Sequence, residues 1–296
     1  MPPRDIALAL VVVLAWGSNF VAMKMAMDTL PPLLFVGLRF AILIPLIPFF
    51  PRPASWAAIL AIGTLINMGQ FAFLFSAMES DVTAGLASLL LQAQAPITIV
   101  LAALVYGERV SLIQGLGIGL AVLGLILFGL SAGGNVTLIG LGLLLCGSLS
   151  WACGNLVLRR LGGVPMVALF IWASLVPPLP MLGLSVWLEG PAPFATIAAL
   201  DLRGWLAVLY VTVFSTLLGY ALWGTLLSRH PAAQVTPFAL LIPVVGLISA
   251  ALLLGESITR VEAVAGAIIL VGLVLAVLGP RWLRSMPSKP ANGAPK

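Results

Sequence analysis

The sequence predicts an all-α polytopic membrane protein, with ten transmembrane helices built as two inverted five-helix repeats. Three observations predict it. The 296 residues are 61% hydrophobic and only 8% charged, against about 25% charged in soluble domains. Turn residues divide the chain into ten apolar segments, each close to the ~20 residues that a spanning helix needs. A corner written LVYGERVS at 104–111 recurs as LLLGESIT at 252–259.

The predicted spans are 6–26, 32–50, 55–77, 82–105, 111–130, 137–158, 164–187, 203–227, 231–254 and 260–280. TLPP precedes the second, FPRPAS the third and EGPAP the eighth, all with proline or glycine turn chemistry. The run from Val110 to Leu158 is too long for one span, and Gly133-Gly134-Asn135 divides it. The segments are too long and too apolar for strands of a membrane barrel. MPPRDIALALVVVLAW resembles a signal peptide only superficially: it has one Arg, and the apolar stretch continues to Lys24 without a clear cleavage site. It reads as a first span that is retained.

Ten spans place both termini on one side of the membrane. That side collects Arg4, Arg52, Arg109, Arg159, Arg160, Arg229, Arg281, Arg284, Lys289 and Lys296. The other side has Lys24, Arg203 and Arg260. Basic residues concentrate on the cytoplasmic side, so both termini are expected there.

The recurring corner defines the repeat. At a shift of 148, Gly107-Glu108 falls on Gly255-Glu256, Ser111 on Thr259, Gln114 on Glu262 and Gly124 on Gly272. Each corner ends in [S/T]-x-x-[E/Q], a capping box. Ser111 and Thr259 are expected to start the fifth and tenth helices, with Glu108 and Glu256 as structural residues beside them. AWGSNFVAMK (15–24) also resembles SWACGNLVLRR (150–160). Five spans is an odd number, so a duplicated second half enters the membrane upside down, as in many secondary transporters. The expected units are residues 1–133, residues 134–283 and a disordered cytoplasmic tail at 284–296.

Several classes of function are excluded or disfavoured. One histidine, His230, rules out a multi-histidine metal site. No nucleotide-binding loop is present, no cofactor is implied, and neither is a nucleic-acid partner. Cys146 and Cys153 lie seven residues apart on one predicted helix, too far along its axis for a disulfide. A membrane enzyme would need a nucleophile, base or metal set inside the spans, and none is visible. A non-transporting partner protein would not need inverted duplication around polar mid-span residues.

The residues WGSNFVAMK, the two Gly-Glu corners each followed by a capped span, and the ten-span plan resemble the EamA-type branch of the drug/metabolite transporter superfamily. The overall pattern is most similar to its YddG-type (aromatic) amino acid exporters of bacterial inner membranes, which implies that location for this chain. The resemblance covers nearly the whole chain. It implies a basket of helices 1–4 and 6–9 around a central cavity, with helices 5 and 10 packed outside as supports. It also implies export of amino acids and related metabolites by alternating access, as a monomer or weak homodimer. Multidrug efflux is the main alternative, although a lipophilic cation usually calls for a buried acid; carboxylate or sugar export is another.

Polar side chains in mid-span usually face a cavity or a partner helix. Arg39 lies about 12 Å into the second span at ~1.5 Å per residue, with no acid within a helical turn. It either meets a substrate carboxylate or water, or pairs within the bundle. Asn19, Gln70, Gln92 and Gln94 in the first half, and Asn155, Tyr220 and Gln234 in the second, suit the polar end of a zwitterion or hydrogen bonds between helices. Trp16, Trp151, Trp172 and Trp223 suit an aromatic wall or interface anchors. Pro96 and Pro243 lie at similar places in spans 4 and 9, as hinges or static bends. No acid sits in mid-span, which suggests a facilitator driven by the substrate gradient, or coupling that avoids a midplane carboxylate. Lys24 is expected to reach outward and His230 to act as a cap or loop residue.

Overall fold

The computed structural model describes residues 1–80, 82–130, 136–230 and 232–285. The expected divider at 133–135 and nearly all of the expected tail lie outside them. Among the described residues nine helices are long and apolar enough to cross a membrane. They are span 1 (Pro3–Met27), span 2 (Pro32–Phe49), span 3 (Trp56–Glu79), span 4 (Ala84–Tyr106), span 5 (Leu112–Leu130), span 6 (Leu138–Leu161), span 8 (Leu202–Arg229), span 9 (Pro237–Leu254) and span 10 (Arg260–Pro280). Span 7 is a pair, Met166–Ala173 and Pro178–Leu188, bent by 43°. The sequence predicts one span here, at 164–187, without marking the bend. The adjacent Pro177 and Pro178 supply no backbone donors, so the helical ladder breaks in front of them.

Both capping boxes form as expected. The Ser111 N–H donates to Gln114 Oε1 at 3.0 Å, and the Gln114 N–H donates to Ser111 Oγ at 3.4 Å. The Thr259 N–H donates to Glu262 Oε2 at 2.8 Å, and the Glu262 N–H donates to Thr259 Oγ1 at 3.3 Å. Ahead of each box, Gly107 and Gly255 adopt left-handed φ angles of 66° and 69°, a region that side-chain-bearing residues avoid.

Spans 5 and 10 lie against each other along their length. Small residues allow the backbones to touch, as is common where lipid-facing helices associate. A Cβ on Gly124 would sit 2.8 Å from the Ala265 carbonyl, and one on Gly272 would sit 2.6 Å from the Gly117 carbonyl. At the shift of 148 that relates the two corners, these two contacts are counterparts of each other. The contact is therefore self-complementary, as across a two-fold axis.

Two further features recur at nearly the same shift. Gly63–Gln70 in span 3 and Tyr210–Leu218 in span 8 are π-helical. Neither was visible in the sequence, where no residue type marks an i→i+5 turn. The wide turns deliver Gln70 and the Ser215–Thr216 pair to the centre of the bundle.

The two ends of the bundle are built differently. At the end away from the N-terminus, the first turns of span 4 pack on the last turns of span 9. A Cβ on Gly85 would meet Ala250 at 3.2 Å, and one on Gly246 would meet Ser88 Oγ at 2.2 Å. Two helix starts at this end, those of spans 2 and 4, are capped by carboxylates from other spans. Glu256 accepts from the N–H groups of Ala84 (2.8 Å) and Gly85 (2.9 Å), and Glu189 from those of Leu33 (2.6 Å) and Leu34 (3.1 Å). Lys24 does not reach outward: its Nζ donates to the Met78 carbonyl at 2.9 Å. At the N-terminal end, His230 Nε2 lies 2.6 Å from Asp5 Oδ2, joining the end of span 8 to the start of span 1. His230 is the C-cap residue of span 8, in line with the expected cap or loop role, and it makes this tertiary contact as well.

Candidate substrate cavity

A cavity of about 750 Å³ occupies the middle of the bundle and runs towards the N-terminal end. Its size lies within the usual range for small-molecule sites. Trp16, Asn19 and Met23 of span 1 line it, with Arg39 of span 2 and Gln70 of span 3. Span 4 gives Gln92 and Gln94, span 6 gives Trp151, Asn155 and Arg159, and span 7 gives Phe170. Span 8 gives Ser215, Thr216, Tyr220 and Trp223.

Arg39 is 2% exposed. Its Nη2 donates to Thr216 Oγ1 at 2.6 Å, and its guanidinium lies over the Phe71 ring at 4.0 Å and the Phe40 ring at 4.8 Å. The rings offer their negative faces to the cation. Nε and Nη1 have no partner within the protein. The Asn19 Oδ1, Gln70 Oε1 and Gln94 Oε1 acceptors are also buried without a partner. Two charged donors and three carbonyl acceptors thus remain unsatisfied on residues that line one cavity, where each orphaned group costs free energy.

Other polar groups are fixed by the bundle itself. Gln92 Nε2 donates to the Ala239 carbonyl of span 9 at 3.3 Å, Gln94 Nε2 to Gln92 Oε1 at 3.2 Å, and Asn155 Nδ2 to Thr98 Oγ1 at 3.2 Å. Another part of the wall is aromatic. Tyr220 stacks on Phe170 with centroids 3.9 Å apart and meets Trp16 edge-on at 5.5 Å. Trp16 also touches the Trp223 ring at 5.3 Å and donates its Nε1–H to the Ser215 carbonyl at 2.8 Å. Gly219 makes this possible, because a Cβ there would lie 2.3 Å from the Trp16 Nε1.

Arg159 stands at the rim, paired with Glu108 and lying 4.6 Å over the Tyr106 ring. The guanidinium holds the Glu108 carboxyl below the usual carboxylate range. Among the described residues no acid lines the cavity.

Two expected site residues lie elsewhere. Trp172 is two positions from Phe170, which turns it to the opposite helix face. There its Nε1 donates to the Phe50 carbonyl at 3.0 Å, and its ring meets Trp56 edge-on at 5.7 Å. Gln234 is exposed on a four-residue helix, Ala232–Val235, that precedes span 9. The neighbouring Val235 takes the buried side of that helix. Pro96 and Pro243 do not line the cavity. Each follows a 3₁₀ segment (Leu91–Ala93 and Thr236–Leu241) at the start of an α-helix. The sequence reading missed Ser215, Thr216 and Phe170. The polar run Thr212, Ser215, Thr216 inside an apolar span was the available signal for the first two.

The EamA-like transporter family model matches residues 4–130 and 138–278. The chain belongs to the EamA-like transporter family. It is 40% identical over 295 residues to the "Probable amino-acid metabolite efflux pump" of Escherichia coli K12, covering 97% of this chain and 99% of that protein. It is 41% identical over 294 residues to the protein of the same description in Salmonella typhimurium, covering 96% and 98%. A solved crystal structure superposes with a TM-score of 0.66 at 18% identity, covering 97% of this chain and all of the other. That likeness concerns the fold alone. The chain is a multi-pass membrane protein of a transporter family, and the cavity lies where such a protein needs one.

Proposed function

We propose that this protein exports neutral amino acids, aromatic ones included, and related metabolites across the bacterial inner membrane by alternating access. One observation carries the reading. The free Nε and Nη1 of Arg39 share a cavity with the free carbonyl oxygens of Asn19, Gln70 and Gln94. A planar guanidinium edge suits a carboxylate, and amide oxygens suit an ammonium group. A zwitterion satisfies both sets at once. The wall of Trp16, Tyr220, Trp223 and Phe170 offers its side chain an aromatic surface. The relatives described as amino-acid metabolite efflux pumps support the same substrate class.

In this reading residues 1–133 and 134–283 are the two halves of an inverted pair, with both termini in the cytoplasm. The self-complementary contact of spans 5 and 10 and the paired π-segments support the pairing. The cavity then opens to the cytoplasm, ready to load. Transport follows the substrate gradient, and a single chain, holding the whole cavity, suffices. Carboxylate export is the second reading, since Arg39 serves that substrate equally.

Efflux from proteoliposomes tests this with radiolabelled phenylalanine, threonine, a dicarboxylate and a lipophilic organic cation. Efflux of both amino acids and retention of the cation are expected. Efflux of the cation without either amino acid overturns the reading, and efflux of the dicarboxylate alone selects the second.

A further inference from the structure

The two Gly-Glu corners have equivalent sequences and equivalent backbones, yet their carboxylates make different contacts. Gly107 and Gly255 both turn the chain through the left-handed region, and both capping boxes close behind them without using Glu108 or Glu256. Each carboxylate is therefore free to leave its own corner. Glu256 does so by bridging to another span, one oxygen on the N–H of Ala84 and the other on that of Gly85. These are orphan donors at the start of span 4. Thr83, in the cap position, makes no side-chain hydrogen bond to them. The contact pins span 4 to the end of span 9, where the bundle is closed.

Glu108 is the same residue at the other end. The segment related to Ala84–Leu90 by the shift of 148 begins at Ala232, the first residue of the helix Ala232–Val235. If the corner were a static structural device, Glu108 would cap that helix as Glu256 caps span 4. Instead it pairs with Arg159 of span 6, and both side chains are about half exposed, at 46% and 50%. This is the end towards which the cavity runs.

We infer that Glu108 and Glu256 are alternating latches, one for each end of the transport pathway. With the N-terminal end open, Glu256 caps span 4 and Glu108 rests on Arg159. When the pathway closes at the N-terminal end, Glu108 exchanges Arg159 for the backbone donors that start the Ala232–Val235 helix, and Glu256 releases Ala84 and Gly85. The exchange leaves net charge unchanged: one bidentate carboxylate cap is made as the other is broken, and the half-exposed Arg159 and the released Glu256 turn to water. Neither glutamate touches substrate, and both act by positioning spans 4 and 9. The inference rests on the alternating-access reading of inverted halves.

The test uses the full chain in proteoliposomes, with Cys146 and Cys153, both unpaired, replaced by Ser. Ser88→Cys then provides one reporter at the contact of spans 4 and 9, where Ser88 is 1% exposed. A membrane-impermeant maleimide is applied from the closed side. Glu256→Gln weakens the latch at that end and is expected to speed labelling about tenfold, the scale of a lost charge-assisted hydrogen bond. Glu108→Gln weakens the opposite latch and is expected to slow labelling. Glu256→Asp, which keeps the carboxylate, should label nearer the wild-type rate than Glu256→Gln does.

Opposite signs are the decisive readout, since two merely structural residues would loosen the fold in the same direction. Unchanged labelling in Glu256→Gln, or a shift of the same sign in both variants, overturns the inference. If Glu256→Gln does not accumulate, Glu108→Gln at its exposed pair still decides: faster or unchanged labelling overturns the latch. Opposite labelling shifts in a protein that moves no amino acid uphold the latch and remove the substrate reading. Amino-acid efflux with unshifted labelling does the reverse.

Discussion

The two ends of this bundle present the same elements in different arrangements. At the end away from the N-terminus, the start of span 4 lies on the end of span 9, Gly85 against Ala250 and Ser88 against Gly246. Glu256 and Glu189 cap helices that belong to other spans. At the N-terminal end, Arg159 and Glu108 form a half-exposed pair at the rim of the cavity. Local sequence explains little of this, because Gly107-Glu108 and Gly255-Glu256 turn with φ angles only 3° apart (66° and 69°). The difference lies in which helix each carboxylate finds, and that is a property of how the spans are tilted. An inverted repeat that were symmetric in every contact would have two equal ends and no preferred side for its cavity.

The largest effect expected is at the centre, which both ends must share. Arg39→Gln removes the charge that a carboxylate would meet. Amino-acid efflux should fall about 100-fold, the scale of losing one partner of a buried charged contact. Retention of full efflux by a folded Arg39→Gln protein would remove the common site and leave the two ends unconnected. A smaller loss is expected from Gly219→Ala. Its new Cβ meets Trp16 Nε1 at 2.3 Å, and Trp16 is held by the Ser215 carbonyl. Overpacking on this scale should lower efflux roughly tenfold, and the tryptophan emission of the protein should change with it.

The prolines sharpen the comparison further. Pro96 and Pro243 sit where 3₁₀ segments pass into α-helix in spans 4 and 9, the two spans that meet at the end away from the N-terminus. Pro96→Ala and Pro243→Ala each restore a backbone donor and should stiffen the junction, slowing efflux severalfold with little change in substrate affinity. Rates that stay the same in both variants would make the junctions static bends.

The smallest effect concerns pH. Arg159 lowers the Glu108 carboxyl below its ordinary range. A lowered folded-state value means the pair's contribution is complete above the ordinary carboxylate pKa and is lost as pH falls through the folded value. The difference in thermal stability between wild type and Glu108→Gln should therefore stay constant from pH 8 to 5 and narrow only below about pH 4. Because both side chains are half exposed, the whole effect should be small. Narrowing already at pH 6 would mean that Glu108 has other partners.

Much of the molecule was legible in its sequence. Hydropathy and turn residues placed nine spans and the bent pair, mostly to within a few residues (the start of span 9 differs by six), because lipid forces each backbone polar group into a helix and leaves few other solutions. The capping boxes at Ser111 and Thr259 formed as written, since their hydrogen bonds span only three residues. Arg39, Asn19, Gln70 and Gln94 could be singled out because a polar group inside an apolar span is costly and needs a reason. Trp172 and Gln234 show the limit of this: position along a helix does not say which face meets the cavity. The π-segments that present Gln70 and Thr216, the pairing of Lys24 with Met78, and the different partners of Glu108 and Glu256 were decided only in three dimensions. Lys24, Glu108 and Glu256 each find a group from a distant part of the chain, which fills a donor or acceptor that local sequence leaves open.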